Sequence, residues 1–352
     1  MPVGTTCIGA YPKPDFIQLP DWFNIPAGPD TADPTMGWAA ALAALGPEAE
    51  AVIDRGVSQV VSDQIDAGID VPTDGEVPRE NYIHYHCRHI EGIDFSQLTR
   101  KELRGGTYAA NLPTIVSSVR ARDEFLVRDW RRAQVYTDRP VKMTMPGPMT
   151  ISDTTADTHY QDPVRLGADL AAALNHEVRA LAEAGCRHIQ IDEPLFARKP
   201  DQALAYGFEN LERAFHGCPK GVARTVHMCC GYPDRLDNPD YPKADPDSYR
   251  RIASTIEDST IDAVSLEDAH RHNDLSLLES FQVTTVILGV VTIANRRVEE
   301  VDEIRSRLLS ALEHIDRDRL MAAPDCGLGL LGRDLARAKL RNLTQAAHSI
   351  AL

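Results

Sequence analysis

Eight short apolar runs recur along the 352 residues, and each ends in a turn rich in Gly, Pro or reactive side chains. They span residues 5–9, 68–71, 141–145, 188–191, 223–226, 263–266, 286–291 and 320–323. Helical patterns fill most of the gaps, at 48–67, 163–184, 247–257 and 301–315, the last with Val301, Ile304, Leu308 and Leu312 at helical spacing. Parallel strands need a crossover between them, so alternation of strand and helix predicts a parallel sheet. Eight such units predict an α/β chain closed as a (β/α)8 TIM barrel. No linker separates two composition regimes, and residues 1–352 are expected to form one catalytic domain. Two stretches exceed a minimal barrel: 13–46 after strand 1, rich in Pro, Asp and Gly, and 79–138 after strand 2, with a helix near 123–136. Both are expected as long loop insertions that act as lids over the functional face.

The turns that end the runs carry the chemistry. They read Ala10-Tyr11-Pro12, Asp74-Gly75-Glu76, Pro146-Gly147-Pro148, Asp192-Glu193-Pro194, His227-Met228-Cys229, Glu267-Asp268 and Pro324-Asp325-Cys326. In a parallel barrel these positions meet at one end, where residues distant in sequence share one site.

His227 and Cys229 are alternate residues of an extended segment and point the same way. Alone, a His-x-Cys pair is ambiguous. Cys326 and Glu267, at two other strand ends, complete a set suited to Zn2+: two thiolates, an imidazole and a displaceable carboxylate. Glu267 also reads as an ordinary strand-end acid bonded to a neighbouring loop. His270 and His272, just beyond, are expected either as acid groups for catalysis or as solvated loop histidines. Cys230 should point to the opposite face and pack, and Cys7, Cys87, Cys186 and Cys218 have no metal-type spacing and read as small buried hydrophobes. Seven cysteines without a disulfide-like framework fit a reducing compartment. Residues 1–11 lack the features of a secretory signal and the longest apolar stretch, 285–294, is too short to span a bilayer, so a cytoplasmic protein is expected. A net charge of -15 argues against nucleic acid, which selects basic surfaces.

At these residues the chain resembles the C-terminal catalytic barrel of cobalamin-independent methionine synthases, in the superfamily that also holds uroporphyrinogen decarboxylase. Thr5-Thr6-Cys7-Ile8-Gly9-Ala10-Tyr11-Pro12 is similar to the family's Thr-Thr-x-Ile-Gly-Ser-Phe-Pro opening. Asp74-Gly75-Glu76 resembles its His-Gly-Glu, and Ile189-Gln190-Ile191-Asp192-Glu193-Pro194 its Ile-Gln-Ile-Asp-Glu-Pro. Met145-Pro146-Gly147-Pro148-Met149-Thr150 is similar to the Gly-Pro-x-Thr turn near the pterin site. The resemblance implies that Ile8, Gly9 and Ala10 contact the amino-acid carboxylate, that Glu76 and Asp192 hold the homocysteine ammonium, and that His227, Cys229, Glu267 and Cys326 ligate zinc. It implies a methyltransferase that activates homocysteine as a zinc thiolate, with methyltetrahydrofolate or another methyl carrier as donor.

Two departures stand out. The family's Asp-x-His after the seventh strand is replaced by Thr292-Ile293-Ala294, which leaves the donor open and makes His270 or His272 a substitute acid. The run Tyr82-Ile83-His84-Tyr85-His86-Cys87-Arg88-His89 is more basic than its counterpart and reads as an active-site rim or a second metal site. Three other readings are weighed: an epoxyalkane:coenzyme M transferase using a zinc-bound thiol, a non-catalytic zinc-binding barrel, and a porphyrin-type decarboxylase. The two acids expected at an ammonium disfavour a sulfonate thiol, and the decarboxylase would need a cationic pocket and no zinc.

Overall fold

Seven parallel strands form the curled sheet that organises the protein: β1 (Gly4–Thr5), β4 (Lys142–Pro146), β6 (His188–Asp192), β7 (Ala223–Met228), β8 (Ala263–Glu267), β9 (Thr285–Val291) and β10 (Leu320–Pro324). They lie side by side in the order β1-β10-β9-β8-β7-β6-β4. The computed structural model describes residues 2–24, 33–103, 108–238 and 240–350. Every residue of β4 and β8 is buried, as expected when helices cover the outer face of a parallel sheet and side chains fill the inner one.

The run at 68–71 does not form a strand. Its chain continues to single parallel bridges, Thr6 with Val71 and Thr73 with Lys142, so 71–73 touches both edge strands. Val71 N donates to Thr5 O at 3.0 Å and Lys142 N to Pro72 O at 2.8 Å. Pro72 has no N–H to return, and that shortens the ladder to isolated bridges.

The helical patterns appear as Ala49–Asp66, Pro163–Ala184, Ser248–Glu257 and Val301–Ala311. Local chemistry sets the bounds of the longest. The Asp162 carboxylate accepts from the N–H groups of Val164 and Arg165, Pro163 opens the first turn, and Gly185 at φ 108° closes the last.

The second excursion differs from the expected loop. After helix Tyr82–Cys87 the chain forms a long antiparallel pair, β2 (Ile90–Leu103) and β3 (Tyr108–Ala121), with β5 (Ala156–Asp157) parallel to β3. Helix Leu126–Gln134 comes next. Strand β2 carries mixed burial with many charged residues, so its period-2 alternation is faint in the sequence. The first excursion holds a short turn, Trp22–Asn24, and a helix, Asp33–Leu45; its residues 25–32 lie outside the described residues. Among the described residues no helix is long and apolar enough to cross a membrane.

The histidines of helix Tyr82–Cys87 serve packing. His84 Nδ1 lies 3.1 Å from Thr35 Oγ1 and its Nε2 3.0 Å from Thr154 O. His86 Nδ1 faces Tyr82 O at 2.6 Å, and His89 stacks on Phe125 at 3.8 Å while facing Asp123. Among the described residues these histidines do not gather into a group able to hold a metal, which does not support the second metal site.

Candidate metal centre and its cleft

The strand register builds the centre. β7 pairs with β8 so that His227 lies beside Ser265, and β6 pairs with β7 so that Asp192 lies beside His227. His227 Nδ1 is 2.9 Å from Ser265 Oγ, which orients the ring and turns Nε2 toward Cys326 Sγ at 3.4 Å. Burial, helped by the Lys142 charge, pushes the imidazole pKa down to about 3, so the ring is neutral and able to ligate. The ligand atoms of His227, Cys229 and Cys326 all lie within 4.8 Å of one another. The adjacent Cys326 and burial hold the Cys229 thiol well above its ordinary range, a cost that a bound cation would reverse. One nitrogen and two sulfurs, converging from β7 and from the turn after β10, fit zinc.

Glu267, at the end of β8, stands outside this three-atom cluster. Its Oε1 accepts from Cys230 N at 3.0 Å; its Oε2 is buried without a hydrogen bond, with Lys243 Nζ 3.8 Å away. A buried orphan carboxylate oxygen beside two thiols is in keeping with a fourth ligand. Cys230 packs as expected, its thiol donating to Tyr249 OH at 3.0 Å.

Asp325 anchors the Asp-Cys-Gly turn that carries Cys326. Its carboxylate accepts from the backbone N–H of Asp268 and Ala269, both at 2.9 Å, and of His270 at 2.7 Å, tying the end of β10 to the turn after β8. The approach requires Gly289, where a Cβ would lie 2.4 Å from Asp325 Oδ1.

Two acids face the cluster across a cleft of about 670 Å³. Glu76, in a left-handed turn at φ 56°, accepts from Thr144 Oγ1 at 2.8 Å and lies 3.4 Å from the buried guanidinium of Arg79, which also reaches Asp74. Asp192 accepts from Gln190 Nε2 at 2.7 Å. Burial raises the pKa of both acids, and the Glu76 charge raises Asp192 further, so the pair favours a cationic ligand. Ile8, Gly9 and Ala10 line the same cleft, and Gly9 is held to glycine because a Cβ would lie 2.7 Å from Glu76 Oε1. The neighbouring Glu193 turns away: it accepts from Met149 N, Thr150 N and Thr150 Oγ1 and caps the turn after β4.

An aromatic wall leaves almost no signature in the sequence. Trp22, Phe23, Tyr82 and Tyr232 line the cleft, with ring centroids of touching pairs 5.1 to 5.5 Å apart. The only hint is an adjacent Trp-Phe pair inside a Pro- and Asp-rich stretch. Tyr232 OH donates to Gly327 O at 2.9 Å, fastening the wall to the ligand turn.

His270 and His272 are not among the residues lining the cleft. Ile293 N donates to His270 Nε2 at 3.0 Å, so that ring braces the loop after β9, and burial lowers its pKa to about 3. His272 is exposed and pairs with Asp268 at 3.4 Å.

The family described as "Cobalamin-independent synthase, Catalytic domain" matches residues 38–349. The chain belongs to the cobalamin-independent methionine synthase family. Among its relatives is the methionine synthase of Saccharolobus solfataricus, 29% identical over 351 residues covering 98% of this chain and 94% of that protein. The methionine synthase of Thermococcus kodakarensis is 30% identical, covering 98% and 93%. A B12-independent methionine synthase from Shewanella sp. W3-18-1, solved in complex with selenomethionine, superposes with a TM-score of 0.86 at 29% identity, covering 99% of this chain and 98% of that one. The methionine synthase fold thus extends over nearly the whole chain.

Proposed function

We propose that the protein is a zinc-dependent methyltransferase that converts an amino-acid thiol, homocysteine, to its S-methyl product, methionine. The convergence of His227, Cys229 and Cys326 opposite Glu76 and Asp192 in one cleft carries this reading. The family membership and the selenomethionine complex of the Shewanella relative support it. In this reading residues 1–352 form one catalytic domain, and 71–73 serves as the second stave of an eight-stave barrel.

His227, Cys229 and Cys326 would hold the metal, with Glu267 as the ligand that yields its place. Zinc bound there supplies a lowered thiol pKa, so that the sulfur is a thiolate at neutral pH. The chain's own residues do the rest. Glu76 and Asp192 bind the substrate ammonium, and the backbone of Ile8, Gly9 and Ala10 meets its carboxylate. The aromatic wall shields the sulfur from water on its side of the cleft. Sulfur attacks the methyl carbon in line; the S–C bond forms as the carbon's bond to the carrier breaks, and the carrier keeps the electron pair. Fixing both reactants removes much of the entropic barrier of a bimolecular reaction. The donor is methyltetrahydrofolate or another methyl carrier. Thr292 does not replace the missing acid, since its hydroxyl donates to Glu299 at 2.7 Å.

A coenzyme M type of thiol fits less well. Its sulfonate would meet Glu76 and Asp192, and among the described residues Arg198 is the one cationic side chain on the cleft wall. Incubating the zinc-loaded protein with homocysteine and a panel of methyl carriers, with methionine measured by mass spectrometry, tests the proposal. Zinc-loaded protein that forms no methionine with any carrier, yet binds coenzyme M more tightly than homocysteine by titration calorimetry, refutes it.

A further inference from the structure

The loop after β7 brings a cation to Glu267 that the proposed mechanism leaves unused. The chain runs outward from the end of β7 and returns, and Ala244 N donates to Cys230 O at 2.8 Å. The return passes so close that a Cβ on Gly231 would lie 2.3 Å from Pro242 O, which holds that position to glycine. Lys243 sits between these two contacts. Its Nζ lies 3.8 Å from Glu267 Oε2 and 4.9 Å from the centre of the Tyr241 ring, whose face attracts a cation. Tyr241 packs in turn at right angles to the His270 ring, with 5.8 Å between centroids. Both side chains of the ion pair are shielded from water, at 17% exposed for Lys243 and 4% for Glu267.

One turn thus meets both carboxylate oxygens. Cys230 N donates to Oε1 at 3.0 Å, whereas Oε2 has no hydrogen bond. Lys243 Nζ stands about 1 Å beyond the length of a charge-assisted hydrogen bond to it, within reach of a small side-chain movement. Among the described residues Glu267 is the one carboxylate within 4.0 Å of that ammonium.

When a substrate sulfur takes the place of Glu267 on the metal, the sulfur–metal bond forms, the oxygen–metal bond breaks with its electron pair staying on the carboxylate, and the thiol proton passes to solvent. A carboxylate released into so dry a site with a single N–H for partner is costly. An ammonium close by offsets that cost, because Coulomb attraction is strong where water is scarce.

We propose that Lys243 is a positioning residue for ligand exchange: it receives the Glu267 carboxylate when a thiol displaces it, and so sets how readily the centre accepts a thiol substrate. This rests on the reading of Glu267 as the yielding ligand given under the proposed function.

Cobalt-loaded protein titrated with homocysteine follows the exchange through the change in its sulfur-to-cobalt absorption and needs no methyl carrier. Lys243→Met should require roughly tenfold more thiol than wild type for half of that change, with cobalt content and melting temperature unaltered. Lys243→Gln should behave alike should the Met variant fold poorly, and Lys243→Arg, which keeps the charge, should restore thiol affinity close to that of wild type. Glu267→Gln removes the group that Lys243 serves, so adding Lys243→Met to it should change thiol affinity little. Equal thiol affinity in wild type and the folded Lys243→Met or Lys243→Gln variant overturns the proposal. A loss that persists in full in the Glu267→Gln background also overturns it, since the lysine would then act on the incoming thiolate and not on the carboxylate. Failure of the ligand reading looks different: Glu267→Gln by itself would leave both the cobalt spectrum and the thiol affinity unchanged, and this inference would fall with it.

Discussion

His227 is fit to ligate because Ser265 Oγ, 2.9 Å from its Nδ1, sets the ring while burial keeps it neutral. Partners of this kind are worth about 10- to 100-fold in metal affinity, so Ser265→Ala should weaken zinc binding by that factor in competition with a chelator. Removing one of the proposed ligands is more severe. Cys326→Ser and His227→Ala should fail to retain zinc through gel filtration, whereas Glu267→Gln should retain it with faster exchange, as read by atomic emission; full retention by the Cys326 variant would contradict the assignment. Gly9→Ala would force a methyl group against Glu76, where a Cβ lies 2.7 Å from Oε1. If Glu76 holds the substrate as proposed, displacing it by about 1 Å should lower kcat/KM on the order of 10²-fold with little change in zinc content. The three metal-type residues are legible in the sequence because each ends an apolar run. The aromatic wall is not, because Trp22, Phe23, Tyr82 and Tyr232 have no common spacing and meet only in the folded chain.

Elements with strong local signals form where the pattern places them. Helix Pro163–Ala184 keeps its boundaries because Asp162, Pro163 and Gly185 mark both ends within the chain itself. Asp162→Ala should cost about 1 kcal/mol, measured by urea unfolding, since it strips two N–H groups of their acceptor. The β2/β3 pair illustrates the opposite case. Charged residues break the alternation of β2, yet a ladder from Ile90 with Ala121 to Leu103 with Tyr108 holds the pair together. The stretch at 68–71 errs the other way, an apolar run whose ladder is interrupted by Pro72.

On the scale of the whole molecule, Lys142, Thr144, His188 and Gln190 put polar side chains on adjoining strands of the sheet, and acidity is where that shows. His188 lies on β6 in register with Lys142, and burial with that neighbouring charge depresses its pKa from 6.5 to about 4. The fold therefore favours the neutral ring. Its contribution is complete above about pH 6.5, where the unfolded chain is also neutral, and is lost as the pH falls through 4. Wild-type stability should decline over that window more steeply than that of His188→Gln, by on the order of 2 kcal/mol at the acid end, in urea titrations at successive pH values. Parallel slopes for the two proteins would show that His188 does not carry the effect.

The sequence by itself determined the α/β alternation, the ends of the longest helix and the residue types at the strand ends, because periodicity, caps and turn chemistry act over a few residues. Tertiary structure alone decided which of those ends meet. Parallel register set His227 beside both Asp192 and Ser265, the Asp325 clamp brought Cys326 to them across a hundred residues, and the same packing turned Glu193, His270 and His272 away. Such outcomes depend on which strands are neighbours and how they align, and no short stretch of chain contains that information.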